Sequence, residues 1–138
     1  MATSGHNVLA VEKKTFPREK TCGDGLTPRA VRQLWDMGLA DELTHYHRFD
    51  GLRALAHGEK LELKWPSHPL YPSCGYVVRR CELDQLVAQN AVRAGAELRQ
   101  GTEAIAPLLE GGRVVGAILK DKAKDRTYEV RSDRKSVV

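Results

Sequence analysis

The sequence predicts an α/β protein, and three observations lead there. An apolar run, His6–Glu12, ends on an acid, the pattern of a buried parallel strand whose last carboxylate faces a crevice. Two stretches of helical spacing, Pro28–Met37 and Glu82–Ala94, are each stopped by a glycine. Segments of strand character lie before, between and after them, so strands and helices alternate along the chain. The 138 residues suffice for one core and not for two independent ones. With 41% hydrophobic and 29% charged residues, neither disorder nor a fibrous architecture fits. No apolar run approaches the ~18 residues of a membrane span and no basic leader opens the chain, so a cytoplasmic protein is expected.

Each element follows from local chemistry. Residues 13–26 carry Lys13, Lys14, Arg18, Lys20, Pro17 and the Gly23-Asp24-Gly25 turn, an irregular, positive connection that reads as a ligand-facing loop. Thr27 is placed as N-cap, Pro28 at the first helical position and Gly38 as C-cap, with Ala30, Val31, Leu34, Trp35 and Leu39 at near-helical spacing. Extended segments Gly51–Ala56 and Lys60–Trp65 flank a His57-Gly58-Glu59 turn. The prolines between Pro66 and Pro72 then interrupt regular structure. Tyr76–Arg79 reads as a strand entering the Glu82–Ala94 helix, whose apolar stripe is Leu83, Leu86, Val87, Ala91 and Ala94 and whose stop is Gly95. Ala96–Arg99 is the next strand. Ala104–Leu109, Arg113–Leu119 and Thr127–Val130 make an antiparallel meander that turns at Gly111-Gly112. One expected element is missing. An acid that ends the second strand of an α/β nucleotide site normally follows a first strand and glycine-rich turn by about 20 residues, and only 11 residues precede Glu12.

Charge and cysteine usage narrow the function classes. The net charge of +4 is made of +2 over residues 1–36, −1 over 37–119 and +3 over 120–138. Its concentration in the last 19 residues reads as a solvated end, so a nucleic-acid-binding module ranks behind enzyme readings and no nucleic acid is expected as partner. Cys22, Cys74 and Cys81 are odd in number, widely spaced and without a Cys-x-x-Cys pair, which predicts reduced thiols, with Cys74 and Cys81 structural. His45, His47, His57 and His68 lack metal-ligand spacing, and no metal is expected. Taken singly, Glu12 reads as a solvated strand end and Cys22 as an inert thiol. Arg80 with Asp84 reads as a surface pair worth under about 1 kcal/mol.

Taken together and in order, these residues carry a resemblance. The segment Val8–Arg29, VLAVEKKTFPREKTCGDGLTPR, resembles the geranylgeranyl reductase family of FAD-dependent oxidoreductases, in particular its actinobacterial polyprenyl and menaquinone reductases. Those proteins have a strand ending in Glu-Lys, then Phe-Pro-Arg, then Lys-x-Cys-Gly-Asp-Gly-Leu leading into a helix. Arg80-Cys-Glu-Leu-Asp84 is similar to the Arg-x-x-(Phe/Leu)-Asp signature of the same family and of the wider group of flavin hydroxylases and halogenases. The resemblance implies a partial FAD-binding Rossmann-like domain, of the p-hydroxybenzoate hydroxylase-like flavoprotein fold, over residues 1–138. With it come the antiparallel meander and, over residues 46–76, the start of the substrate-facing sheet.

The resemblance also implies a site. FAD is the cofactor, contacted by Glu12, Lys13, Cys22, Gly23, Gly25, Arg80 and the backbone near Ala104, and Cys22 is the catalytic position beside the reacting carbon. A carboxylate at a strand end suits the vicinal hydroxyls of an adenosine ribose. Glycines 23 and 25 suit close approach to a flat ring, and the helix N-terminus near Pro28 offers a positive field. Arg80 is a fixed cation for the phosphate or ribityl side, with Asp84 expected to hold that guanidinium or to cap its helix. The implied reaction is hydride transfer from reduced flavin to a carbon–carbon double bond of a prenyl chain: a geranylgeranyl group, an isoprenoid lipid or a menaquinone side chain. NAD(P)H or a small redox carrier is the implied electron donor, and peripheral association with the inner membrane face is implied by so apolar a substrate. The absent GxGxxG unit, and the basic Arg131–Val138 where the family has another strand, read as a truncated member. The alternatives are a non-catalytic remnant unable to hold FAD and a flavin monooxygenase or halogenase-like protein.

Overall fold

The first strand, β1 (Leu9–Glu12), is the acid-terminated end of the apolar run that predicts it. In the computed structural model of the chain, residues 2–132 are described, so the end of the basic segment, 133–138, lies outside them. β1 pairs in parallel with β7 (Glu97–Gln100), Leu9 opposite Glu97 and Glu12 opposite Gln100, as expected of a strand delivering a carboxylate to the sheet's C-terminal edge. All four of its residues are half-buried, not buried as the apolar run suggests. The chain divides into two compact units, one running to Arg18 and resuming at Asp84, the other comprising Glu19–Leu83.

The first unit adds an antiparallel meander of β8 (Thr102–Glu110), β9 (Arg113–Asp121) and β10 (Arg126–Arg131), in the order β10-β9-β8. Its first turn is the expected Gly111-Gly112, both at positive φ. The register slips between Ala104 and Ala106, so Ile105 is the extra residue of a bulge in β8. Ala96, Thr102, Gly116 and Leu119 are the unit's buried residues among those described.

The second unit carries most of the core: Leu26, Val31, Leu34, Leu39, Leu43, Cys74, Val78 and Cys81 are buried. Its sheet runs β2-β6-β3, from β2 (Gly25–Leu26), β6 (Gly75–Val77) and β3 (His47–Phe49), all antiparallel neighbours. Helix α1 (Pro28–Asp36) packs on β2 and β6 through the face bearing Val31 and Leu34. The central strand admits both neighbours because Gly75 has no side chain. A Cβ there would stand 2.4 Å from the Phe49 ring and 2.5 Å from the Leu26 carbonyl oxygen. A hairpin of β4 (Gly51–Ala56) and β5 (Glu59–Lys64) follows β3. Its turn is the two residues His57 and Gly58, both at positive φ, so Glu59, expected in the turn, opens the strand instead.

Both long helices stop in the same way. After α1, Gly38 (φ +77°) donates to the Trp35 carbonyl and Leu39 to the Leu34 carbonyl, each at 2.9 Å. After α3 (Arg80–Arg93), Gly95 (φ +94°) donates to Val92 at 2.9 Å and Ala96 to Ala91 at 3.0 Å. This is the glycine-terminated double bond that satisfies orphan carbonyls at a helix end. At the other end of α1, Thr27 is extended as an N-cap must be, yet its hydroxyl makes no capping bond; only its carbonyl is used, by Val31 N–H at 3.0 Å. The predicted stripe of α3 is half-buried throughout, and Cys81 is the helix's one buried residue. The short helix α2 (Ala40–Leu43), β2 and β3 escape prediction because two to four residues show no period.

Candidate functional site

The predicted site residues fall into two clusters, one in each unit. In the first, β1 ends on Glu12, and the chain turns back at once. The Lys14 N–H donates to Glu12 Oε1 at 3.0 Å, and Arg18 Nε donates to Oε2 at 2.8 Å. Arg18 Nη1 donates in turn to Asp84 Oδ2 at 2.8 Å, and its guanidinium lies 5.2 Å from the Phe16 ring centre. The three charged side chains are only 13–17% exposed. Burial alone would push the Glu12 carboxyl up; the Lys14 N–H and the Arg18 guanidinium outweigh it and hold the group below its ordinary value, with Lys13 helping by charge. Lys13 itself is exposed, and Ala104 is exposed beside the β8 bulge.

Asp84 lies in the second turn of α3, past any capping position, and it holds the Arg18 guanidinium, a partner the sequence does not suggest. The shielded pair differs in kind from the solvated surface pair the sequence suggests, and its loss should cost more than the ~1 kcal/mol of an exposed pair. Arg18 stands in the quoted Phe-Pro-Arg motif, but nothing in the sequence assigns it a partner 66 residues away.

In the second unit, the Cys22-Gly23-Asp24-Gly25 turn is pinned to the start of α3. Asp24 takes positive φ (+53°), its carbonyl accepts Val78 N–H at 2.8 Å, and its Oδ1 accepts the Arg80 N–H at 2.9 Å. A carboxylate on the first N–H of a helix is favoured by both hydrogen bonding and dipole, which is why α3 begins at Arg80, two residues before the apolar spacing starts it. Sequence reasoning assigned Asp24 only to a turn. The Cys22 thiol is exposed, while Cys74 and Cys81 are buried, as their structural role requires. The Asp24 backbone N–H first, and then the Arg80 side chain, stabilise the thiolate and lower the Cys22 pKa. Cys22, Asp24 and Arg80 line an open cavity of about 330 Å³ with Glu19, Lys20, Thr21 and Arg79. Nothing lies within 4 Å of where a Gly23 Cβ would stand, and Gly25 meets only the Gly23 carbonyl at 3.7 Å. Among the described residues, no group of three His, Cys, Asp or Glu side chains is placed to hold a metal ion.

The profile of the FAD binding domain family matches residues 1–133. This chain belongs to that family. As an FAD-binding domain it is similar to the menaquinone reductase of Mycobacterium tuberculosis, 42% identical over 121 residues that make up 87% of this chain and 29% of the relative. It is also similar to digeranylgeranylglycerophospholipid reductase 1 of Methanopyrus kandleri, 31% identical over 136 residues, 95% of this chain and 32% of the relative. Among solved structures, a myxobacterial FAD-dependent chondrochloren halogenase matches with a TM-score of 0.81 at 27% identity, over 95% of this chain and 31% of its own. The FAD-binding domain thus spans under a third of the length of these relatives. The flavoprotein fold expected from the resemblance is the one found, and its cofactor is FAD.

The residues present fit that cofactor. Each Glu12 oxygen accepts one of these bonds and can accept another, which suits a pair of hydroxyl donors. The side-chain-free surface at Gly23 and Gly25 is open to a flat ring, and Lys20, Arg79 and Arg80 give the cavity a cationic wall suited to phosphate.

Proposed function

We propose that this FAD-binding domain serves a reductase that saturates a carbon–carbon double bond in the prenyl chain of a quinone or an isoprenoid lipid. One observation carries the reading: an exposed thiol, polarised by the Asp24 N–H and the Arg80 side chain, on the wall of an open cavity that Lys20, Arg79 and Arg80 share with Glu19 and Asp24. The 42% identity with a menaquinone reductase supports a quinone as the substrate class. When bound and reduced, FAD supplies the hydride for one alkene carbon. Cys22 Sγ holds the proton for the other carbon. Its lowered pKa makes the thiol a stronger acid than an ordinary one, and the thiolate left behind is met by the Asp24 N–H and Arg80. Glu12 accepts from the ribose hydroxyls with Lys13 beside it, Gly23 and Gly25 let the backbone approach the ring system, and the backbone at Ala104 makes a further cofactor contact.

Residues 46–76 begin the substrate-facing sheet in this reading. Leu52 pairs with Leu63 and Ala54 with Leu61 across the β4–β5 hairpin, so these four share one face, and its three leucines are more than half exposed. An apolar, accessible face suits a prenyl chain. Among the described residues no helix is long and apolar enough to cross a membrane, and the substrate places the work at a membrane face. A nicotinamide nucleotide or a small redox carrier supplies the electrons.

The test starts with an FAD titration of the purified chain, followed by anaerobic reduction and incubation with a prenyl quinone. Mass spectrometry is expected to find a gain of two hydrogens in the prenyl chain, lost in Cys22→Ser while FAD still binds. A colourless preparation blind to FAD would favour the non-catalytic alternative. The structural match to a halogenase supports a second reading, flavin-dependent halogenation, which predicts an oxygen- and halide-dependent product in place of the reduced one.

A further inference from the structure

We propose that Arg18 is a positioning residue, anchored by Asp84, that sets the Glu12 carboxylate for the ribose diol; the inference rests on the reading of Glu12 as the ribose acceptor. The terminal torsion of a glutamate is broad, so a carboxylate at a strand end has no fixed plane of its own. The Lys14 N–H fixes one oxygen, at 3.0 Å. Arg18 fixes the second at 2.8 Å, and two bonds to two different oxygens define the plane. A vicinal diol offers two donors at set spacing, so the plane matters as much as the charge.

Arg18 is itself held on two further sides. Its Nη1 donates to Asp84 at 2.8 Å and its guanidinium lies 5.2 Å from the Phe16 ring centre, and Phe16 is held in turn by its N–H, which donates to the Gln100 side chain at 2.6 Å. Gln100 is the residue opposite Glu12 in the parallel ladder, so the clamp closes on the strand pair that delivers the carboxylate. Only a planar fork reaches two carboxylates in different directions from one side chain; an ammonium on a flexible stem keeps the charge and loses the geometry.

The test is a double-mutant cycle on FAD affinity, read by flavin fluorescence, with Glu12→Gln, Arg18→Gln and the double variant in the full chain. Each single variant is expected to weaken FAD binding on the order of 10-fold, the scale of one hydrogen bond to a charged group. The double variant should fall within about twofold of the weaker single, because Arg18 acts through Glu12. Arg18→Lys, which keeps the charge, should recover only part of the affinity. An additive double variant overturns the inference, as does a full rescue by lysine. If Glu12→Gln leaves FAD affinity unchanged, the ribose reading of Glu12 fails and the inference with it; if Glu12→Gln weakens binding and Arg18→Gln does not, only the inference fails. A second measurement needs no cofactor. Carbon NMR of the Glu12 carboxyl is expected to find it titrating below the ordinary glutamate range in the native chain, returning to that range in Arg18→Gln and part-way in Asp84→Asn; no change in either variant overturns the clamp.

Discussion

Glu12 and Cys22 each hold a proton less tightly than their kind does in water, and a backbone N–H leads in both, yet the first is completed by a shielded arginine and the second stands at an exposed turn. In the Glu12 cluster three charged side chains, each 13–17% exposed, fix one another, so the carboxylate is pre-set before any ligand arrives. In the Cys22 cluster the decisive donor is the Asp24 N–H, and its place is fixed by the turn, by Asp24's bond to α3 and by the core beneath. A ribose acceptor needs fixed direction, which paired ions supply. A proton-holding thiol beside a substrate needs access, which burial would remove.

If that contrast holds, damage to the second unit's core should reach the thiol, and this is where the largest effects are expected. Leu43 is fully buried, and Leu43→Ala should cost about 2–5 kcal/mol in a urea-denaturation midpoint analysis. Gly75→Ala comes next. Its Cβ would press on the Phe49 ring and the Leu26 carbonyl, and crowding of that kind costs about 1–3 kcal/mol. Both variants should also slow alkylation of Cys22 relative to its native rate, because β6 and β2 hold the turn; unchanged alkylation would mean that the turn keeps its geometry without its sheet. Asp24→Asn is smaller, since asparagine tolerates the positive φ and retains an acceptor, and loses only the charge at the start of α3. About 0.3–1 kcal/mol is expected, and it should vanish in high salt.

How much of this the sequence discloses differs between the two regions. The meander, both glycine-stopped helices and the parallel placement of β1 follow from local period and turn chemistry, which act over a few residues. The chemistry-bearing types were legible too: Glu12, Cys22 and Arg80 stand in ordered motifs, and Cys22 and Arg80 do line one cavity. What was not legible is partnership across sequence distance. Arg18 meets Asp84 across 66 residues and Asp24 meets the Arg80 N–H across 56. No spacing rule spans such gaps, because the fold as a whole decides them. That is also why Thr27, a good capping residue by type, can leave its hydroxyl out of the cap.

The finest test sets the two clusters on opposite sides of neutrality. Glu12 is a depressed carboxyl, so its contribution to stability is complete above the ordinary glutamate range near ~4.3 and is lost as pH falls through its own lower value. Urea midpoints measured from neutral to acid pH should therefore drop over that window, and the part due to the clamp should be missing in Arg18→Gln. Cys22 titrates on the other side. Its thiolate fraction, read as the rate of iodoacetamide alkylation against pH, should rise at lower pH than an ordinary thiol, while Cys74 and Cys81 stay unreactive in the folded chain. Arg80→Gln should move that profile upward only part of the way, because the larger influence, the Asp24 N–H, is backbone and survives the substitution. A full return to an ordinary thiol would make Arg80, and not the backbone, the dominant partner of the thiolate.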